Sequence, residues 1–360
     1  MAGVIDVHQH LWPAEFVERL RARTEPPYLD GWTLHTTSEP PYEVDPAAHA
    51  VDKRVALEQD DETALVGLSL SSPLGIEELG DAALLDAWHI GAASLPEPFK
   101  PWAAINLLEP DLEGLESLLD KGFLGLQLPA HVLGTPAAWA GVASLLAVAE
   151  RLNKPILVHP GTAVPPAEEV PGWWAPVVDY TLQLQASWWA WHAFGGRAAF
   201  PKLRLCFVAA AGLAPVHHER LAARGGRLGT IDRNLYVDTS SYGPQGIDAV
   251  SRVLGIDQVV HGTDRPYART VELRQGDAAT AVIRHSNPHR FLYGTEPPSP
   301  TKRRGTTSTK AGSRKDPVSP PRGECSDCSA RFRRTRRSRA PSQPARGAQR
   351  LSVAGQPSGS

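Results

Sequence analysis

Cysteine is scarce in this 360-residue sequence: Cys206, Cys325 and Cys328 are the only three. They make no disulfide framework, which leaves a reducing cytoplasm as the expected compartment. No stretch approaches the roughly 18–20 apolar residues of a membrane span, although hydrophobic residues make up 42% of the chain. No signal peptide is expected, because the sequence reaches Asp6 and His8 almost at once. A glycine-rich phosphate turn is also missing. After the first apolar run the chain reads Gln9-His10-Leu11-Trp12, which argues against a doubly wound nucleotide-binding sheet.

Charge is unevenly spread. From Glu296 onward there are fifteen Lys/Arg against four Asp/Glu, leaving 22 against 35 in the rest of the chain. The segment 295–360 is rich in Pro, Ser, Arg and Gly, with Phe332 as its one aromatic residue. It cannot bury enough apolar area to offset the entropy of ordering, so a disordered basic tail is expected. Its Arg331–Arg339 run could hold nucleic acid or an acidic membrane. Nothing else in the sequence supports either, and a tail without a partner is the favoured reading. Cys325-x-x-Cys328 has no second pair within reach, so no zinc site is expected there.

What remains, 1–294, alternates short apolar runs with longer amphipathic ones. Strands are expected at Val4–His10, Ala64–Ser71, Trp102–Leu107, Gly125–Pro129, Pro155–His159, Leu203–Ala209, Leu235–Thr239 and Gln258–Thr263. Helical periodicity covers Ala14–Arg23, Leu79–Ala92, Leu112–Lys121, Pro136–Leu152, Ala214–Arg224 and Gly246–Leu254, with a last helix, Val271–His285, ending before Asn287-Pro288. Eight buried strands alternating with helices predict a (β/α)8 TIM barrel as a single domain, 1–294. The proline-rich insertion Pro26–Pro46, with Tyr28, Trp32, His35 and Tyr42, is either a lid over the barrel mouth or a surface loop. Five tryptophans, Trp173, Trp174, Trp188, Trp189 and Trp191, cluster in one region, where helix packing accounts for most of them.

Within Val4-Ile5-Asp6-Val7-His8-Gln9-His10, side-chain alternation along a strand puts His8 and His10 on one side. At the C-terminal end of a barrel strand that side is the mouth, where active sites are built. His159 closes the fifth strand and Asp264 follows the eighth. Together these four make an N3O donor set suited to one divalent cation, zinc first, with manganese, iron or cobalt also compatible.

At this point the sequence resembles the amidohydrolase-related branch of the metal-dependent hydrolases, which includes aminocarboxymuconate-semialdehyde decarboxylase and similar enzymes. The resemblance covers most of Val4–Leu292. It rests on Asp6-Val7-His8-Gln9-His10, Leu157-Val158-His159-Pro160, Gly212-Leu213-Ala214-Pro215 and Gly262-Thr263-Asp264-Arg265-Pro266. It implies that His8, His10, His159 and Asp264 hold one metal ion, that Asp264 also takes a proton from the bound water, and that the protein could form a homodimer. Two-metal relatives use a carboxylated lysine on strand four. Gly125-Leu126-Gln127-Leu128-Pro129 has none, which implies a mononuclear site. One departure stands out: where the family usually ends strand six with a histidine, this chain has Ala209. His131, His192, His217 and His218 are candidate replacements.

Alanine neither binds a metal nor carries a proton. Hydrolysis of a small carbonyl ester, lactone or amide survives its presence, because a metal-activated water and Asp264 suffice. Decarboxylation of a small carboxylic acid, which needs a proton delivered to carbon, is the alternative, and a metal-binding protein without activity is a third. Arg265, His131 and Trp12 are candidate substrate contacts, each with an ordinary structural role as the competing reading.

Overall fold

Ile156-Leu157-Val158-His159 is buried at every position, and so are Leu126–Pro129 and Leu235–Asp238. Strands buried without alternation are covered on both faces, as in a parallel sheet wrapped by helices. The computed structural model describes residues 3–227 and 229–297. The chain divides into two units, Met1–Lys302 and Arg303–Ser360. The basic run Arg331–Arg339 and the Cys325/Cys328 pair lie outside the described residues.

Eight parallel strands organise the first unit: β1 (Val4–Gln9), β2 (Thr63–Leu68), β3 (Phe99–Pro101), β4 (Leu126–Pro129), β5 (Ile156–His159), β6 (Leu205–Phe207), β7 (Leu235–Asp238) and β8 (Val259–Val260). Ladders run in order through β1-β2-β3 and through β4 to β8. Two single bridges close the circle, Ala103 with Leu126 between β3 and β4, and Gln9 with Arg265 between β1 and the end of β8. The fold is a (β/α)8 TIM barrel, and the strand ends that carry His8, His10, His159 and Asp264 open on one mouth.

Helices α1 (Ala14–Arg21) and α2 (Val51–Asp60) both lie between β1 and β2, followed by α3 (Ala82–Ser94), α4 (Leu112–Asp120), α5 (Pro136–Arg151), α6 (Tyr180–Ala193), α7 (His218–Ala223) and α8 (Pro244–Leu254). Caps mark several starts: Asp81, Asp111 and Thr135 each accept a backbone N–H three residues on. No helix among the described residues is long and apolar enough to cross a membrane.

Four local expectations are corrected. The third strand ends at Pro101, not Leu107: Pro98 and Pro101 make Phe99–Pro101 read as loop, yet the Pro101 carbonyl still accepts from Leu124 N. The last helix does not stop before Asn287-Pro288. A π turn at Val282–Ser286 connects Asp277–Ala281 to Asn287–Tyr293, and the wider turn absorbs a proline that has no N–H to give. The insertion after α1 is a meander of three short strands, Tyr28–Asp30, Thr33–His35 and Tyr42–Glu43. It packs Leu29, Leu34 and Val44 into the core, and its Glu39 accepts the Tyr180 hydroxyl of α6 at 2.8 Å.

The fourth correction concerns Ala214–Arg224. Only His218–Ala223 is α-helical. Ahead of it Ala209, Ala210, Ala211, Gly212 and Leu213 run through five successive left-handed residues, φ 47–62°. An L-residue there costs roughly 1–2 kcal/mol, so four of these five positions are strained. At Gly212 a Cβ would lie 2.5 Å from the Thr181 carbonyl oxygen of α6, which is why that position has no side chain.

Candidate metal centre

His8 and His10 leave β1, His159 closes β5, and Asp264 follows β8 through Gly262-Thr263. Each offers one ligand atom, and the four atoms lie within 4.8 Å of one another. The three imidazoles meet edge to face, with ring centroids 5.0–5.2 Å apart. His8 Nε2 is 3.2 Å from His10 Nε2, which in turn is 3.1 Å from Asp264 Oδ1. The histidines are 1%, 1% and 6% exposed, so the group is shielded from bulk water on the protein side.

Which nitrogen of each ring faces inward is settled by what the other one does. His8 Nδ1 donates to Asp238 Oδ2, His10 Nδ1 to the Ser69 carbonyl, and His159 Nδ1 to the Pro160 carbonyl, each at 2.9 Å. All three acceptors take a proton from Nδ1, so in the neutral rings every Nε2 turns a lone pair toward the centre.

Burial disfavours charge on all three rings, but they end differently. For His10 burial prevails over the pull of Asp264 and the imidazole is held below its ordinary value. His159 is held well below, by burial and then by the neighbouring His8 and His10. His8 is the exception. Burial works against its charge, yet the Asp238 hydrogen bond and the charges of Asp238, Asp264 and Asp6 outweigh it and hold the ring above the usual value. Burial would push the Asp264 carboxyl up; the close His10 Nε2 and the nearby His8, His10 and His159 rings overcome it and hold it below.

This set repels itself when empty of positive charge: lone pairs on two nitrogens 3.2 Å apart confront a carboxylate oxygen. A proton or a cation among them removes the conflict. Tetrahedral nitrogen ligands at about 2.0–2.1 Å from a zinc-sized ion are about 3.4 Å from each other. The observed spacing therefore fits a divalent cation held by His8, His10, His159 and Asp264.

Asp238, at the end of β7, was not singled out from sequence. It is fully buried; Oδ2 holds His8, while Oδ1 accepts from Ala209 N (2.7 Å), Ser240 N (3.0 Å) and Ser240 Oγ (2.6 Å). A Cβ on Gly262 would sit 2.5 Å from Asp238 Oδ2, so glycine is what lets the carboxylate reach His8. The one available signal was a carboxylate at the C-terminal end of a barrel strand. Tyr267 was also missed. Three residues past Asp264 and partly exposed, it lays its ring 5.1 Å from that of His10.

The other sequence candidates lie apart from the four-residue group. Arg265 turns outward to Glu58 and Asp61 on and just after α2, and is held there by both carboxylates. Trp12 is 2% exposed, donating to Ser71 Oγ and stacked on His49 at 4.8 Å; it is core, with no face left for a ligand. His131 pairs with Glu78 at 2.9 Å. His192 packs on Trp188 of its own helix, and His217 and His218 head α7, His217 exposed. Ala209 is half-buried, with its N–H given to Asp238. Of the five tryptophans, Trp188 and Trp191 are buried, while Trp173 and Trp174 are exposed.

The sequence profile of the amidohydrolase family matches residues 5–304. Solved structures share the fold at low identity. One is the Metarhizium anisopliae IDCase, 18% identical with a TM-score of 0.62, covering 81% of this chain and 97% of that one. Another is 5-carboxyvanillate decarboxylase from Sphingomonas paucimobilis, 15% identical with a TM-score of 0.64, covering 81% and 99%. A third is 5-carboxyvanillate decarboxylase from Novosphingobium aromaticivorans, complexed with manganese and 4-hydroxy-3-methoxy-5-nitrobenzoic acid. It is 16% identical with a TM-score of 0.52, covering 68% and 80%.

Proposed function

This chain belongs to the amidohydrolase family, and we propose that His8, His10, His159 and Asp264 hold one divalent metal ion with which it hydrolyses a small carbonyl ester, lactone or amide. The observation that carries the reading is the convergence of three Nε2 lone pairs and one carboxylate oxygen, each imidazole pinned from behind through Nδ1. A cation bound there would act as a Lewis acid toward a carbonyl and lower the pKa of a coordinated water toward about 7. Zinc suits the N3O donors; manganese, present with the Novosphingobium decarboxylase, is the first competitor.

The protein's own proton carrier is Asp264. Its Oδ1 is 3.1 Å from His10 Nε2, while Oδ2 is 3.3 Å from Ser241 Oγ, with the side chain 19% exposed. A carboxylate held in the ionised form at the mouth accepts a proton from an attacking water and returns it to a leaving group. Ala209 offers no second carrier, and hydrolysis does not require one.

Decarboxylation is the second reading, favoured by the decarboxylases among the structures that share the fold. It asks Asp264 to deliver a proton to carbon in place of accepting one from water. One experiment separates the readings. Protein loaded with zinc or manganese is offered esters and lactones in one series and hydroxylated aromatic carboxylates in another, with acid release and carbon dioxide followed separately. Metal-dependent acid release is the expected result. Carbon dioxide from the second series alone would replace hydrolysis by decarboxylation, and no turnover in either with metal bound would leave a metal-binding protein without this chemistry.

A further inference from the structure

Gln127 lies on β4, buried, and its amide is fully engaged. Its Oε1 accepts from Ser69 Oγ at 2.5 Å. Its Nε2 is 2.8 Å from the Leu70 carbonyl, 2.6 Å from Ser72 Oγ and 3.1 Å from Glu77 Oε1. All these partners belong to the segment that leaves β2. β2 and β4 are not neighbours, since β3 lies between them. Gln127 therefore acts as a strut past β3, gripping the chain beyond the end of β2.

Glu77 braces the far end of that strut. It is 1% exposed, accepts from both Gln127 and Ser72 through Oε1, and no cation is paired with it among the described residues; Oε2 has no partner. Leaving a buried carboxyl oxygen unmatched is costly. A core retains such a group when something depends on the geometry it enforces.

The segment so gripped is the one that holds His10. The Ser69 carbonyl accepts from His10 Nδ1 at 2.9 Å, and Ser71 Oγ lies 3.3 Å from the same nitrogen while taking the Trp12 indole N–H. We infer that Gln127, braced by Glu77, is a positioning residue for the metal group: it fixes the Ser69 carbonyl, and through it the tautomer and direction of His10. The inference rests on the metal reading above. Neither residue approaches the ligand atoms directly, so the effect is on how well the site binds its ion.

Purified protein is stripped with chelator and the wild type compared with Gln127→Leu, Glu77→Leu and Glu77→Gln. Zinc affinity is measured by competition with a chromophoric chelator, and cobalt(II) is added separately for its visible spectrum. Far-UV circular dichroism and the metal-free melting temperature establish that each variant is folded. Gln127→Leu and Glu77→Leu are expected to weaken zinc binding by about 10–100-fold, the usual loss when a partner behind a metal ligand goes, and to shift the cobalt bands. Glu77→Gln keeps a carbonyl oxygen for Gln127 and Ser72 and is expected to retain wild-type affinity within about threefold. That rescue separates positioning from mere loss of core packing, and the Glu77 pair decides the matter should Gln127→Leu fail to fold. Folded leucine variants with wild-type zinc affinity and an unchanged cobalt spectrum would overturn the inference and leave the metal reading standing. A wild type that takes up neither metal overturns both.

Discussion

Asp238 Oδ2 lies 2.9 Å from His8 Nδ1, and its other oxygen takes the N–H groups of Ala209 and Ser240. One carboxylate thus orients a proposed metal ligand and pins the strained turn after β6. In Asp238→Asn the amide oxygen can face His8 or the two N–H donors, but not both, and the NH2 group meets donors whichever way it turns. Metal affinity should fall by about 10–100-fold, with a loss of about 1–3 kcal/mol in stability from unmatched buried donors. Zinc competition and urea unfolding measure the two effects; a variant with wild-type affinity would remove Asp238 from the site.

Gly262 tests the same contact from outside. Its α-carbon hydrogen occupies the space where a Cβ would press on Asp238 Oδ2 at 2.5 Å. Gly262→Ala should displace the carboxylate from His8 and weaken metal binding without touching a ligand. An alanine variant indistinguishable from wild type in metal titration would mean that Asp238 has room to move.

His159→Ala removes a proposed ligand at the C-terminal end of β5. Ligand binding to the native state adds stability of about 2.7 kcal/mol at a free concentration one hundred times Kd. Added zinc or manganese should therefore raise the melting temperature of wild-type protein by several degrees and leave His159→Ala nearly unmoved. Equal shifts in both proteins would place the ion elsewhere.

Glu77 predicts a pH dependence. Burial outweighs the hydrogen bonds from Ser72 and Gln127 and holds its carboxyl above the ordinary value of 4.5. Above that pH the unfolded chain loses the proton while the folded chain keeps it, so the contribution of Glu77 to stability is complete at low pH and declines as pH rises toward its folded value. Glu77→Gln has no proton to lose. Its stability relative to wild type should increase between pH 4.5 and neutrality, as read from urea midpoints across that range; a flat difference would show that burial does not perturb the group.

The left-handed run is testable with glycine. Ala209→Gly relieves a residue at φ 47° that is only half-buried, and should raise stability by about 1 kcal/mol. Ala210, at φ 49°, is fully buried, and losing its methyl costs about 0.8 kcal/mol, so Ala210→Gly should be close to neutral. A destabilised Ala209→Gly would contradict the turn geometry.

Much of this arrangement was legible before any fold was known. Apolar runs such as Ile156-Leu157-Val158 predict buried strands, and eight of them with helices between predict the barrel. His8, His10, His159 and Asp264 were legible because strand ends in a barrel share one mouth. The third strand was misplaced because Pro98 and Pro101 mask its start, and the last helix was cut short because a π turn leaves no periodicity mark. Arg265 and Trp12 looked available because sequence does not say which way a side chain turns. One is engaged by Glu58 and Asp61; the other is sealed between His49 and the core.

The sequence by itself determined which residues could serve as ligands, because donor chemistry and strand-end position are properties of residue type and spacing. It also determined that strand six carries no imidazole and strand four no lysine. Tertiary structure alone decided how the proposed ligands are held: Asp238 behind His8, Ser69 behind His10, and Gln127 with Glu77 behind Ser69. These contacts join residues 50 to 230 positions apart in the chain, and hydrogen bonds at that separation have no period or motif. They exist only once closure of the barrel brings the strand ends together.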